Sequence, residues 1–167
     1  MSRERFVDWV QEAIVSLPTD MKAMLRIVED PEVADESRVE AAGSLLHVLS
    51  GQNAIPGTRG ILAYVGHVLV MRLVLERIGK ESPEAMARHR EESPELLANL
   101  EEELAVTRDY LGDSVRVLEK AADGVPKLSH QGHSARECVF DTEASNWLYD
   151  AVQEAIVEQL EFDEDEV

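Results

Sequence analysis

The chain has 167 residues, 44% apolar and 30% charged, which suits one globular domain burying roughly 70% of the surface its unfolded form exposes. Its formal net charge of −18 is unevenly spread: residues 1–80 carry 9 basic and 11 acidic groups, net −2, and residues 81–167 carry 7 and 23, net −16. A field of that sign repels phosphate, so it argues against direct nucleic-acid binding and docking on anionic membrane, and leaves either simple solubility or a basic protein surface as partner. The aromatic content of 5% and the lack of alternating Val, Thr and Tyr runs argue against sheet. Cys138 is the only cysteine and has no internal disulfide partner. No basic-then-apolar leader pattern opens the chain, so a cytoplasmic setting is expected.

Phe6, Trp9, Val10, Ala13, Ile14 and Leu17 recur at helical spacing and predict a first amphipathic helix that ends at Pro18. A second, short helix follows with Met21, Met24, Leu25 and Val28 on one face, closed by Asp30-Pro31 because the residue before proline avoids helical angles. A third starts near Asp35, carries Ala42, Leu45, Leu46 and Leu49 on one side, and ends in the turn-forming stretch from Ser50 to Gly60. Residues 61–75 are apolar except for Gly66, His67 and Arg72. That helix, near residues 60–79, has little polar face and is predicted to run through the middle of the bundle. It is too short for a bilayer span, which needs about 20 apolar residues.

The string Glu81-Ser82-Pro83-Glu84 recurs as Glu92-Ser93-Pro94-Glu95, and each copy encodes a helix start, with Ser as cap and Pro at the first helical position. The first opens a short helix to about Arg90. The second opens a long acidic helix over residues 93–123, with Leu97, Leu100, Leu104, Leu111, Val115 and Leu118 as its stripe. Residues 125–141 show no period and read as a loop. A last helix is capped around Asp141 or Thr142, spans residues 142–160, and gives way to an acidic tail, 161–167, of disordered composition. The string Val10-Gln11-Glu12-Ala13-Ile14-Val15 reappears as Val152-Gln153-Glu154-Ala155-Ile156-Val157; amphipathic helices converge on such strings, and the helices between show no matching register. The expectation is an all-α, single-domain bundle of six to seven helices covering residues 1–160.

Over residues 17–79 the pattern resembles the YkvA family, a small helical bacterial domain of unknown function. The resemblance rests on Leu17-Pro18 with Asp20, on Asp30-Pro31-Glu32-Val33, and on Leu45-Leu46-His47-Val48-Leu49-Ser50. Where the family reads Ser-Pro-Ile-Asp-Leu-Ile-Pro-Asp, this chain reads Ser50-Gly51-Gln52-Asn53-Ala54-Ile55-Pro56-Gly57. The family's Gly-Tyr-Leu-Asp-Asp falls on Ala63-Tyr64-Val65-Gly66-His67. The four family aspartates thus become Asn53, Gly57, Gly66 and His67, so the resemblance implies the helical hairpin without any cation or proton chemistry of clustered carboxylates. It transfers fold and little function.

His130, His133, Cys138 and Asp141 have ligand types that suit zinc in a spacing that matches no strong zinc signature; the plain reading is a polar loop with a packed cysteine. His47 and His67 bracket the turn between the third and fourth helices, where a hairpin brings them together as hydrogen-bonded core histidines or, less simply, as catalytic groups. Ser44 and Ser50 lack a nucleophile elbow, and the glycines near residue 60 lack a phosphate loop's strand and lysine. No cofactor motif is present. Glu101, Glu102 and Glu103, with Asp163, Glu164, Asp165 and Glu166, form the candidate partner-binding acids. The functional expectation is a non-enzymatic helical adaptor or regulator. Its rivals are a metal-binding or hydrolase-like protein using the histidines and a peripheral membrane-associated protein.

Overall fold

The computed structural model of the chain describes residues 3–50, 61–92 and 100–166. The fold is all-α. Helix α1 spans Arg3–Glu29 with Pro18 inside it, so the break expected there does not occur. A proline within a helix lacks one N–H and costs about 3 kcal/mol. Leu17, Met21, Met24 and Ile27, on either side of it, are each no more than 1% exposed, and burying such side chains contributes about 1.5–3 kcal/mol apiece. Packing therefore outweighs the lost hydrogen bond. The helix does end at Asp30-Pro31, where Asp30 Oδ1 accepts the Glu32 N–H at 2.9 Å.

Helices α2 (Asp35–Ser50) and α3 (Ile61–Glu81) form the expected hairpin. They run antiparallel, since Ser37 meets Glu81 at one end and His47 meets His67 at the other. Every residue of α3 from Gly66 to Leu75 is buried, as its nearly continuous apolar sequence requires. The centre is shared with α2, whose residues 41–47 are also all buried. Gly43 on α2 lies so close to the Val125 backbone that a Cβ there would sit 2.0 Å from the Val125 carbonyl oxygen.

Helix α4 (Pro83–Glu92) begins where the first Ser-Pro-Glu string places it. The Ser82 hydroxyl accepts the Ala34 N–H at 3.2 Å, fastening this corner to the start of α2. Ser93, Pro94 and Glu95 of the second copy, and Leu97, lie outside the described residues. Helix α5 (Leu100–Leu111) is followed by a 3-10 turn, Gly112–Ser114, and then by α6 (Val115–Gly124). The single long helix expected to reach residue 123 is therefore two. Gly112 takes φ +55°, a left-handed angle that ends a helix and that glycine adopts without steric cost.

The segment read as an aperiodic loop is ordered structure. A 3-10 turn, Val125–Lys127, leads into a two-stranded ribbon, β1 (Ser129–His130) and β2 (His133–Ser134), then into α7 (Ala135–Phe140). Gln131 and Gly132 at the tip have φ of 51° and 83°, the double positive φ of a tight hairpin turn. Ser134 caps α7 by accepting the Glu137 N–H. Segments this short give no period to read, and Val125, Ala135 and Cys138, all 0% exposed, anchor them. Helix α8 (Thr142–Glu166) is capped by Asp141, whose Oδ2 accepts the Ala144 N–H at 2.9 Å. Its backbone is helical to Glu166, and neither Gly nor Pro interrupts it.

Around the central hairpin, α1, α7 and α8 pack against α2, while α1, α4, α5 and α6 pack against α3. Among the described residues no helix is long and apolar enough to cross a membrane.

Candidate functional site

The turn end of the α2–α3 hairpin holds Ser50, Gly66 and His67 of the positions that the expected family motif covers. His47 and His67 are each 4% exposed, and their rings meet edge to face with centroids 5.2 Å apart. Burial, aided by the neighbouring His67, pushes the His47 imidazole down to about 4, so it is neutral at pH 7. His47 Nδ1 has no hydrogen-bond partner among the described residues. The hydroxyls of Ser44 and Ser50 donate to the carbonyls of Ala41 and His47 on their own helix, at 2.8 and 3.0 Å. Gly66 is buried beside His67, and Tyr64 lies in the first turn of α3. Asn53, Pro56 and Gly57 lie outside the described residues.

The four residues with zinc-type side chains do not converge. His130 and His133 are cross-strand partners in the ribbon and both face Trp147: His133 stacks on the indole at 4.3 Å and 22°, and His130 tilts against it at 6.2 Å. Cys138 points into the core, where burial raises its thiol to about 11 and suppresses the thiolate needed for nucleophilic or metal chemistry. Asp141 is spent on capping α8. Among the described residues no group of three or more His, Cys, Asp or Glu is placed to hold a metal ion.

The three acids of α5 have different surroundings. Glu102 is exposed. Glu101 is held by Arg90, whose hydrogen bond lowers the carboxyl's pKa. Glu103 is half-buried against Arg72, 3.5 Å away, and burial raises it despite that guanidinium. Glu103 is therefore an internal ion-pair member rather than part of an outward acidic face. Asp163, Glu164, Asp165 and Glu166 lie on the last turns of α8.

Arg72 leads to a constellation that periodicity alone does not reveal. Its guanidinium, 4% exposed, lies 3.2 Å from Asp20, itself 1% exposed, so α1, α3 and α5 are joined by a buried Asp20–Arg72–Glu103 network. The available signal was a lone charge inside the most apolar run and an acid on the buried face of α1. A second cluster ties the end of α1 to α4: Asp30 contacts Arg88 and His89, with His89 Nε2 at 2.8 Å. Burial works against ionisation of Asp30, yet the Glu32 N–H, His89 and Arg88 together hold its pKa below the usual value. Arg108 makes a two-pronged pair with Glu76, at 2.7 and 2.9 Å, joining α5 to α3.

The surface hollows among the described residues include two that border α4. One, of ≈ 340 Å3, is lined by Leu75, Glu76, Gly79, Met86, Arg90 and Glu101 among others. The other, of ≈ 330 Å3, is lined by Glu32, Glu84, Ala85 and Arg88. Neither contains a histidine, cysteine or hydroxyl side chain, and most of their charges belong to ion pairs already described. No protein-family model, curated protein or solved structure matches the chain.

Proposed function

We propose that this protein is a non-enzymatic helical regulator that binds a basic protein surface through its acidic C-terminal half. The observation that carries the reading is the separation of charge by location: residues 81–167 hold a net −16, and Glu102, Asp109, Asp113, Glu143, Asp150 and Glu154 are all exposed. Such a field steers a cationic partner and speeds encounter. Tyr149 and Val157, 49% and 59% exposed on the same outer face of α8 as its acids, supply the apolar anchors that an acidic surface needs for specificity. The internal charges, by contrast, hold helices together. A divergent YkvA-like hairpin is the scaffold of this reading, with the family's clustered aspartates replaced, and the setting is the cytoplasm.

Affinity capture from native extract at about 50 and about 500 mM salt tests it, because the lower salt leaves surface charge largely unscreened and the higher salt does not. The expected outcome is a partner retained at low salt, released at high salt, and not retained by a variant carrying Glu143→Lys, Asp150→Lys and Glu154→Lys. Retention indifferent to those three charges, or no retention at either salt, would overturn the proposal.

A further inference from the structure

The hollow of ≈ 340 Å3 bordered by α3, α4 and α5 has an apolar lining and a charged rim. Leu75 and Met86, which line it, are 1% and 3% exposed, and Gly79, Pro83 and Ala87 complete the apolar part. Gly79 keeps the space open. A Cβ there would meet only the Met86 Cγ, at an ordinary 3.7 Å, so the room beside α3 exists because a side chain is missing. Glu76, Lys80, Arg90 and Glu101 supply the charges. Three of them are matched: Glu76 receives both prongs of Arg108, at 2.7 and 2.9 Å, and Arg90 holds Glu101. Lys80 is the remainder. It is exposed, one turn beyond Glu76 on the same face of α3, and among the described residues it takes part in no ion pair, the Glu76 carboxylate being claimed by Arg108. With Arg108 included, the hollow is surrounded by three cations and two carboxylates, a local excess of positive charge in a chain of net −18.

We infer that this hollow binds a small molecule with an apolar body and a single carboxylate, the body lying against Gly79, Met86 and Ala87 and the carboxylate meeting the Lys80 ammonium. The volume is at the lower end of the range for ligand pockets, roughly 300–1,000 Å3, which suits a small acid rather than a nucleotide-sized cofactor. Charge narrows the class further. A neutral hydrocarbon leaves Lys80 unmatched, a cation meets Lys80 and two guanidinium groups, and a second anionic group finds no other uncommitted cation at the rim. The field of the whole molecule repels anions, so a preference for an anion at this place has to come from these local groups. Apolar burial supplies most of the affinity, and an ion contact at an exposed rim adds up to about fivefold and the selectivity. The site uses none of the α8 acids assigned to a basic partner, so either reading can fail without the other.

Amide NMR of the full chain, titrated with octanoate, 1-octanol and octylamine at equal millimolar concentrations, tests the site. The expected result is saturable shifts of the Gly79, Lys80 and Ala87 amides with octanoate, weaker binding of octanol by up to about fivefold, and no saturable shift of those three amides with octylamine. Lys80→Gln, at an exposed position, should bring octanoate down to the affinity of octanol. Gly79→Leu fills the hollow without forcing the backbone, since its Cβ has ordinary clearance, and should abolish the octanoate shift at Ala87 while far-UV circular dichroism stays helical. Octanoate that leaves those amides unmoved overturns the inference. So does octylamine binding there as well as octanoate, octanoate affinity indifferent to Lys80→Gln, or an octanoate shift at Ala87 that survives in Gly79→Leu.

Discussion

The hairpin core and the C-terminal helices use charge in opposite ways. In α1–α3 the ionisable groups that matter are inside: Asp20, Arg72, His47 and His67 are each at most 4% exposed, and two of them form an ion pair while the other two are an imidazole pair. In α5–α8 most of the acids whose burial is described, Glu103 apart, face outward along helices that bury a narrow apolar stripe, such as Leu148, Val152 and Ile156 of α8. A buried charge is tied to one partner, because leaving water costs several kcal/mol per ion unless a counter-charge offsets it. An exposed charge acts only in sum, and any one of them is nearly dispensable. The first arrangement therefore fixes how helices meet, and the second sets a field around the molecule.

Substitutions can break this contrast. Arg72→Ala removes the guanidinium beside buried Asp20 and half-buried Glu103, and a loss of about 3–5 kcal/mol is expected by urea denaturation. Replacing all three with apolar or neutral shapes, Asp20→Asn with Arg72→Met and Glu103→Gln, should recover most of that loss; a triple variant as unstable as Arg72→Ala would show that the network adds more than mutual neutralisation. Gly43→Ala tests the seam between the two regions, since its Cβ meets the Val125 carbonyl oxygen at 2.0 Å. A cost of about 1–3 kcal/mol is expected from such overpacking, seen as a lowered thermal midpoint with the Val125–Cys138 segment losing hydrogen-exchange protection first.

Acid sensitivity sharpens the contrast further. Because burial, with His67, lowers His47 from 6.5 to about 4, the neutral form is the one the fold accommodates. Its contribution is full above pH 6.5 and is lost as pH falls toward 4. His47→Leu should flatten the fall in urea midpoint between pH 6.5 and 4, and an unchanged fall would assign acid lability to other groups. On the outer side, Asp141→Ala removes the cap of α8 and should cost about 1 kcal/mol, read from the same denaturation curves. Glu154→Gln, at an exposed position of α8, should change stability by no more than about 0.5 kcal/mol, although it removes a full charge, as Arg72→Ala does.

The hairpin was legible because its signals are local and redundant. Asp30-Pro31 stops α1, the apolar run from Ile61 to Leu75 exceeds any one-sided pattern, and Ser82-Pro83 starts α4, so each boundary follows from a residue's own backbone chemistry. Pro18 misled because a helix-breaking residue was weighed against propensity alone, whereas Leu17, Met21 and Met24 repay it through contacts with distant segments. The ribbon at His130 and His133 was invisible because two-residue strands carry no period. Of the candidate site, the meeting of His47 and His67 followed from the hairpin. The seating of His130 and His133 on Trp147, and the inward turn of Cys138, did not.

What the residues alone determine is the helical class, the α2–α3 hairpin, and the concentration of acid after residue 80, since these depend on propensity, periodicity and composition. Which charges go inside was decided by tertiary structure. Nothing in the neighbourhood of Glu103 separates it from Glu101 and Glu102; only the approach of α5 to Arg72 does, and only the antiparallel pairing of α2 with α3 brings Ser37 onto Glu81. Burial and the distance between charges set the energy of an ionisable group, and both are properties of segments far apart in the chain.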